Sequence, residues 1–305
     1  MMKTKKKAVL LMTIIFTLIL SVSVSAAPGS VKGIKKSYKY GTYKGWVSKT
    51  KMKKIKYKVG YKISWKKAKN ASGYQVYAYM VGSKKWMKVK TTKKNYYVLT
   101  NILGKNSLKI KVRAYEKKNN NVEYGKFSKQ VKIKTKGRYQ KRYKNNKVKV
   151  FYDRYAGENA FAYQNKLRKN AGRDELQWSD DIYKIALIRA KQISEDYSHD
   201  KLESTVEDYL KKNYGITDAW YEKDVQTEYG EMTEGSMYAG AENIALGQHN
   251  CKEVMSAWKE SKGHYANFIS ENHHYGAVAC YFNGDTMFWV ALFSEVDIDT
   301  MKNNK

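Results

Sequence analysis

Charge divides this chain in two. Residues 28–150 carry 38 Lys and Arg against two acids, Glu116 and Glu123, a net of +36. Residues 151–305 carry 17 Lys and Arg against 26 Asp and Glu, a net of −9. Lysine and arginine at nearly a third of the positions of the first stretch must mostly face solvent rather than a core. The reversal predicts two units with different partners and a boundary near residues 140–150.

The chain begins with a basic stretch, Lys3 to Lys7, followed by an apolar run from Ala8 to Leu20 and small residues through Ala27. Val24-Ser25-Ala26 fits the small-x-small pattern of a signal-peptidase site, which predicts a leader over 1–27 cut near Ala26. The apolar run is short against the roughly 20 residues of a membrane span. The mature protein is therefore expected to be extracellular, with no membrane segment after cleavage. No cysteine follows the leader, and Met301 to Lys305 carry neither an apolar tail nor a wall-sorting pattern, which predicts a protein released or held non-covalently at the wall. Export permits a disulfide. Cys251 and Cys280 are the two cysteines, and closing that loop stabilises by about 3 kcal/mol if the geometry allows; the alternative is two buried thiols.

Residues 55–136 alternate with period two in short runs rich in β-branched and aromatic residues, separated by turn signals such as Asn70-Ala71-Ser72-Gly73 and Gly104-Lys105-Asn106. In Leu108–Tyr115, Leu108, Ile110, Val112 and Ala114 face one way and Lys109, Lys111 and Arg113 face the other, toward water. Residues 28–54 form a Lys/Tyr-rich segment that either supplies a first strand or stays an arm; 137–150 is a basic linker. The segments Ile63-Ser64-Trp65-Lys66-Lys67-Ala68, Val112-Arg113-Ala114-Tyr115 and Tyr124-Gly125-Lys126-Phe127-Ser128 resemble a fibronectin type III domain of exported Gram-positive proteins. That resemblance makes Trp65 the core tryptophan of the second strand, and it departs from the family at Leu108, where a corner tyrosine is usual.

From residue 151 the period changes. Ser179-Asp180-Asp181 places a cap and two acids at a helix start, and Ile182, Ile185, Ala186 and Ile193 recur at helical spacing, predicting a helix over 180–196. Further helices are predicted over 159–169 and 252–261, and strands over 276–282 and 286–293. Helices against an antiparallel sheet make an α+β layer fold. Asn165 to Gly172 with Leu176-Gln177-Trp178, then Arg189-Ala190-Lys191 with Ser198-His199, Ala241-Glu242-Asn243-Ile244-Ala245, Ala257-Trp258 with Gly263-His264, and Phe288 to Phe293 resemble the CAP (cysteine-rich secretory protein-like) family. The resemblance implies an α-β-α sandwich over 151–298, giving a multidomain chain with an all-β sandwich first.

It also implies a cleft built from His199 and His264, with Glu242 supporting and Glu260 as a weak fourth, able to hold zinc or another divalent metal. His249, His273 and His274 match no family motif and read as surface or loop residues. No His-Glu-x-x-His helix, Gly-x-Ser-x-Gly elbow or reactive-cysteine pattern occurs, so a binding module is expected before an enzyme. The alternatives are a metal-dependent hydrolase using His199, Glu242 and His264, and a lipid or sterol carrier. The basic half is expected to bind an anionic cell-wall polymer or polysaccharide, with nucleic acid not expected; the cleft would take a peptide, lipid or glycan. Residues 200–240 are where specificity would lie.

Overall fold

The computed structural model describes residues 27–46, 48, 50–100, 102, 106–118, 121–135, 151–227 and 230–303. The expected cleavage site and the linker at 137–150 lie outside the described residues. No described helix is long and apolar enough to cross a membrane.

The basic half contains eight described strands: β1 (Lys35–Trp46), β2 (Met52–Ser64), β3 (Gly73–Met80), β4 (Lys85–Thr92), β5 (Tyr96–Leu99), β6 (Ser107–Lys118), β7 (Asn121–Tyr124) and β8 (Val131–Lys134). They form two sheets, β1-β2-β5 and β4-β3-β6-β7, with β8 also paired to β6. The alternation seen in the sequence decides which side faces in. Leu108, Ile110, Val112 and Ala114 of β6 are buried and meet Val76 and Ala78 of β3, Ile63 and Leu99 of the other sheet, and Trp65. Leu108, at the position of the missing corner tyrosine, is part of that core. The N-terminal segment supplies a strand, since β1 pairs antiparallel with β2 along its whole length.

The charged face of β6 is not simply in water, as the alternation implied. Lys109, Lys111 and Arg113 are only partly exposed. Lys111 Nζ lies 4.2 Å from the ring centroids of both Trp86 and Phe127, and the Arg113 guanidinium lies 4.0 Å from that of Tyr124. Each charged group stands over the π face of a neighbouring ring on an otherwise solvated sheet.

The acidic half adds β9 (Phe151–Tyr152), α1 (Arg154–Asn170), β10 (Gln177–Trp178), α2 (Asp180–Gln192), α3 (Leu202–Tyr214), β11 (Trp220–Thr227), β12 (Gly230–Met237), β13 (Ala241–Leu246), α4 (Cys251–Glu260), α5 (Lys262–Ile269), β14 (Tyr275–Phe282), β15 (Met287–Ser294) and α6 (Ile298–Asn303). The central sheet runs β10-β14-β15-β13, with β9 on β14. Its strands read as unbroken apolar runs because both faces are covered. Ala277, Ala279, Val290 and Leu292 pack under α2 and α3. Val278, Cys280, Trp289, Ala291 and Phe293 pack under α1, α4 and α5. The result is the expected three-layer α-β-α arrangement. Strands β11 and β12 form a hairpin of their own.

Helix α1 begins five residues before the sequence-based start, because Asp153 caps it by accepting from Ala156 N–H at 3.0 Å. Gly157 lets this helix cross β14 closely, as a Cβ there would sit 2.1 Å from the Val278 carbonyl oxygen. Helix α2 is capped by Ser179 with Asp180 and Asp181 in its first turn, as expected, and ends at Gln192. The expected disulfide is not formed: Cys251 and Cys280 are two buried thiols in the layer beneath α4. Burial pushes the Cys251 thiol up to about 11 and Cys280 well above its ordinary value, so both behave as small hydrophobes.

The two halves are docked. The β3–β4 turn meets α1, where Glu158, itself 1% exposed, accepts from Ser83 N–H at 2.7 Å and from Ser83 Oγ–H at 3.0 Å. Gly82 permits the approach, since a Cβ there would lie 2.9 Å from Glu158 atoms. Tyr155 of α1 packs against the sandwich core and shares a hydrogen bond with Tyr97. Around this centre, Lys84 pairs with Glu175 at 2.5 Å, Lys85 with Asp180, and Asn159 with the Ser107 backbone.

Candidate functional site

The site forms where β13 runs along the edge of the central sheet. Successive strand residues point to opposite faces. Glu242 therefore faces the α2 layer, and Asn243 faces the α5 layer. The last turn of α2 brings Arg189 onto Glu242: Nε donates to Oε1 at 2.8 Å and Nη2 to Oε2 at 3.1 Å. Both side chains are 1% exposed. Arg189 is fixed further by Gln192 Oε1 at 2.9 Å and the Ser198 carbonyl at 2.8 Å. The second of these bonds holds the turn after α2, and that turn presents His199.

His199 Nδ1 lies 2.8 Å from Glu242 Oε2, while most of the ring is in solvent. A carboxylate paired with an arginine only accepts, so Nδ1–H is the donor in this bond. On the other face, Asn243 donates to the His264 carbonyl at 2.9 Å, and Asn267 donates to Asn243 Oδ1 at 2.8 Å. These bonds seat α5, and with it His264, against β13. Burial pushes the His264 imidazole below its ordinary value, and the neighbouring His199 charge pushes it the same way. Tyr197 is pushed up by burial and then by Glu242, so it stays a phenol.

Of the residues marked out in the sequence, His199, Glu242 and His264 are brought together. Glu260 is not: it ends α4 as an exposed side chain, and no described polar contact joins it to the other three. Arg189 was quoted only as part of a motif, yet it determines what Glu242 can do. Its signal was present in the sequence, four residues after Ile185 on the apolar stripe of α2. An arginine on a core-facing position requires a buried acid. His273 lies in the loop before β14, as expected, and is partly buried there. Its ring stacks on Phe293 with centroids 5.2 Å apart, and Nδ1 lies 3.0 Å from the Asn267 carbonyl. His249 lies at the start of α4 against Glu253.

Imidazole nitrogens are the donor type that suits a borderline divalent cation such as zinc. Both oxygens of Glu242 are already engaged, so its part is to orient His199 rather than to ligate. No group of three His, Cys, Asp or Glu able to hold a metal occurs among the described residues.

Residues 161–293 match the family model described as the CAP, cysteine-rich secretory protein family. No curated protein matches the sequence. Among solved structures, a cysteine-rich secretory protein from Staphylococcus aureus is 11% identical, covering 86% of this chain and 87% of its own, with a TM-score of 0.33. An extracellular protein containing a SCP domain from Bacillus anthracis is 14% identical, covering 96% and 100%, with a TM-score of 0.33. An outer surface protein from Borrelia burgdorferi is 17% identical, covering 46% and 92%, with a TM-score of 0.35.

Proposed function

We propose that the CAP domain at residues 161–293 works as a binding module in an extracellular protein, with the basic half as its attachment to an anionic surface. One observation carries the first part: Glu242 is held by Arg189 and His199 together. Hydrolysis would need a positioned general base. Glu242, its charge matched by Arg189 and its second oxygen taken by His199, is not free to be that base, so a hydrolase would have to use His199, which Glu242 orients. What the site offers outward is the exposed ring of His199, oriented by Glu242, together with His264. His199 and His264 would hold zinc or a similar divalent ion. The ion would supply a positive centre for an anionic or carbonyl group of a peptide, lipid or glycan.

Calorimetric zinc titration of the whole chain tests this, wild type against His199→Ala/His264→Ala. Binding of one ion, lost in the variant, is the expected result. Folded wild type that takes up no zinc would reject the metal reading and leave a metal-free cleft.

For the basic half, two acids against 38 Lys and Arg favour a polyanion, and the leader pattern favours a wall polymer over nucleic acid. The two sheets, β1-β2-β5 and β4-β3-β6-β7 with β8 also paired to β6, support the fibronectin type III-like reading. Pelleting with purified cell wall, reversed steeply by salt, is the corresponding test.

A further inference from the structure

The polyanion reading leaves open whether the whole basic surface attracts or one place binds. We propose that a groove between the two sheets of the sandwich, lined by Lys36, Tyr38, Tyr61, Lys132 and Lys134, is a built site for a linear anionic carbohydrate polymer. The proposal rests on that reading and narrows it to one site.

The groove has a volume of about 600 Å³, and its lining includes no acid. It crosses from one sheet to the other, spanned by two bonds: Lys36 Nζ donates to the Lys132 carbonyl at 3.1 Å, and Tyr61 OH to the Lys134 carbonyl at 3.2 Å. Ile133, between the two lysines, also lines the groove and faces between the sheets. Lys132 and Lys134 therefore meet the groove through their carbonyls and carry their side chains on the outer face of β8, along its rim. Their Cα atoms are then about 6.6 Å apart, as for any i, i+2 pair on a strand. Two cations at that spacing can meet successive charged groups of an extended polymer.

Across the groove Tyr38 stands directly opposite Tyr61 in the β1–β2 pairing, with ring centroids 5.3 Å apart and planes at 46°. Tyr40 continues the row at 6.2 Å from Tyr38. Tilted rings in mutual contact leave no parallel platform for an inserted base. They do present an apolar edge on which the C–H face of a sugar can lie, with hydroxyls beside it.

The acids of this half are kept away. Glu116 and Glu123 pair with each other across β6 and β7, and Glu116 also meets Lys118 at 3.2 Å. Lys132 and Lys134 sit opposite Lys109 and Ser107 at the other end of β6. At about 3.3 Å per residue, that separates the acids from the groove by roughly 25–30 Å, beyond two Debye lengths in physiological salt.

The test uses the whole chain and polygalacturonate, a linear chain of charged pyranose rings, as the probe. It compares Lys132→Ala/Lys134→Ala with Lys88→Ala/Lys90→Ala, an equally charged, equally spaced and exposed pair on β4. The expected result is at least a tenfold loss of affinity for the first pair, with a shallower salt slope, and less than a threefold loss for the second. Tyr38→Ala, at an exposed position, should weaken binding even in high salt, where charge is screened. Equal losses from the two lysine pairs would overturn the groove and leave diffuse attraction standing. Absence of binding by wild type would remove the polyanion reading itself. Oligothymidylate bound as tightly, and as sensitive to Tyr38→Ala, would overturn the carbohydrate assignment.

Discussion

Glu158, buried in the first helix of the acidic half, accepts both the backbone N–H and the hydroxyl of Ser83 from the basic half. Arg154 closes the arrangement at 3.0 Å from Glu158 Oε1. A carboxylate desolvated by a partner domain ties the two folding units together, because separating them leaves its charge and the Ser83 donor to find new partners.

Glu158→Ala should therefore uncouple the halves. We expect a loss of about 3 kcal/mol of cooperative stability. In scanning calorimetry one transition should become two, with a larger radius of gyration in small-angle scattering. A single transition unchanged by the substitution would show that the contact contributes nothing to coupling. Lys85→Ala should do far less. Its pair with Asp180 is substantially exposed on both sides, and such pairs are worth under about 1 kcal/mol.

Removing the acid from the cleft should harm the fold more than the histidine. Glu242→Gln leaves Arg189 buried without a counter-charge, at a cost of about 3–5 kcal/mol measured by denaturant unfolding. His199→Ala removes a mostly exposed ring and should cost less than about 1 kcal/mol. Equal destabilisation by the two would mean that the Arg189–Glu242 pair is not the structural element inferred.

Acid should weaken the protein in two steps. Folded His264 and His273 both titrate below the ordinary histidine value of 6.5, in each case first through burial. The unfolded chain then binds more protons than the folded one. The stability this provides is complete above 6.5 and is lost as pH falls through the lowered folded values. Asp180 adds a later step. Burial alone would raise it, but hydrogen bonds from Lys85, Arg154 and Trp178 outweigh that and hold it at about 2. Its contribution, small because the group is partly exposed, is present above 3.8 and lost as pH falls toward 2. Unfolding free energies between pH 7.5 and 5 check the first step, and a slope of the opposite sign would contradict it.

The cysteines give a direct chemical readout. In native protein neither thiol should react, since both are buried and hard to ionise. In denaturant without reductant, both should take up alkylating agent. Protection that persists in denaturant would mean that the bridge forms after all.

Much of the fold was legible because alternation and helical spacing are geometric. Leu108 to Ala114 and Ile182 to Ile193 carry their buried faces in plain sequence. What was not legible depends on approach between distant segments. Gly82 and Ser83 read as a turn and nothing more, because no local pattern reveals the helix packed on it. The separation of Cys251 and Cys280 is likewise set by where α4 lies on β14. In the site, the histidines and Glu242 were found by resemblance. Glu260 was carried with them, although nothing turns the end of α4 inward. Arg189 was passed over because helical position was read for apolar residues only.

The docking of the halves has an electrical consequence. Lys84 and Lys85 are met by Glu175 and Asp180, so the acidic half acts as a built-in polyanion for part of the basic surface. Any outside polymer competes with the protein's own second half for the same kind of charge, under the same screening. Ionic strength would then act unequally on the two. Brine would release the grip on a surface, while the buried Glu158–Ser83 contact, which salt screens little, would keep the two halves together.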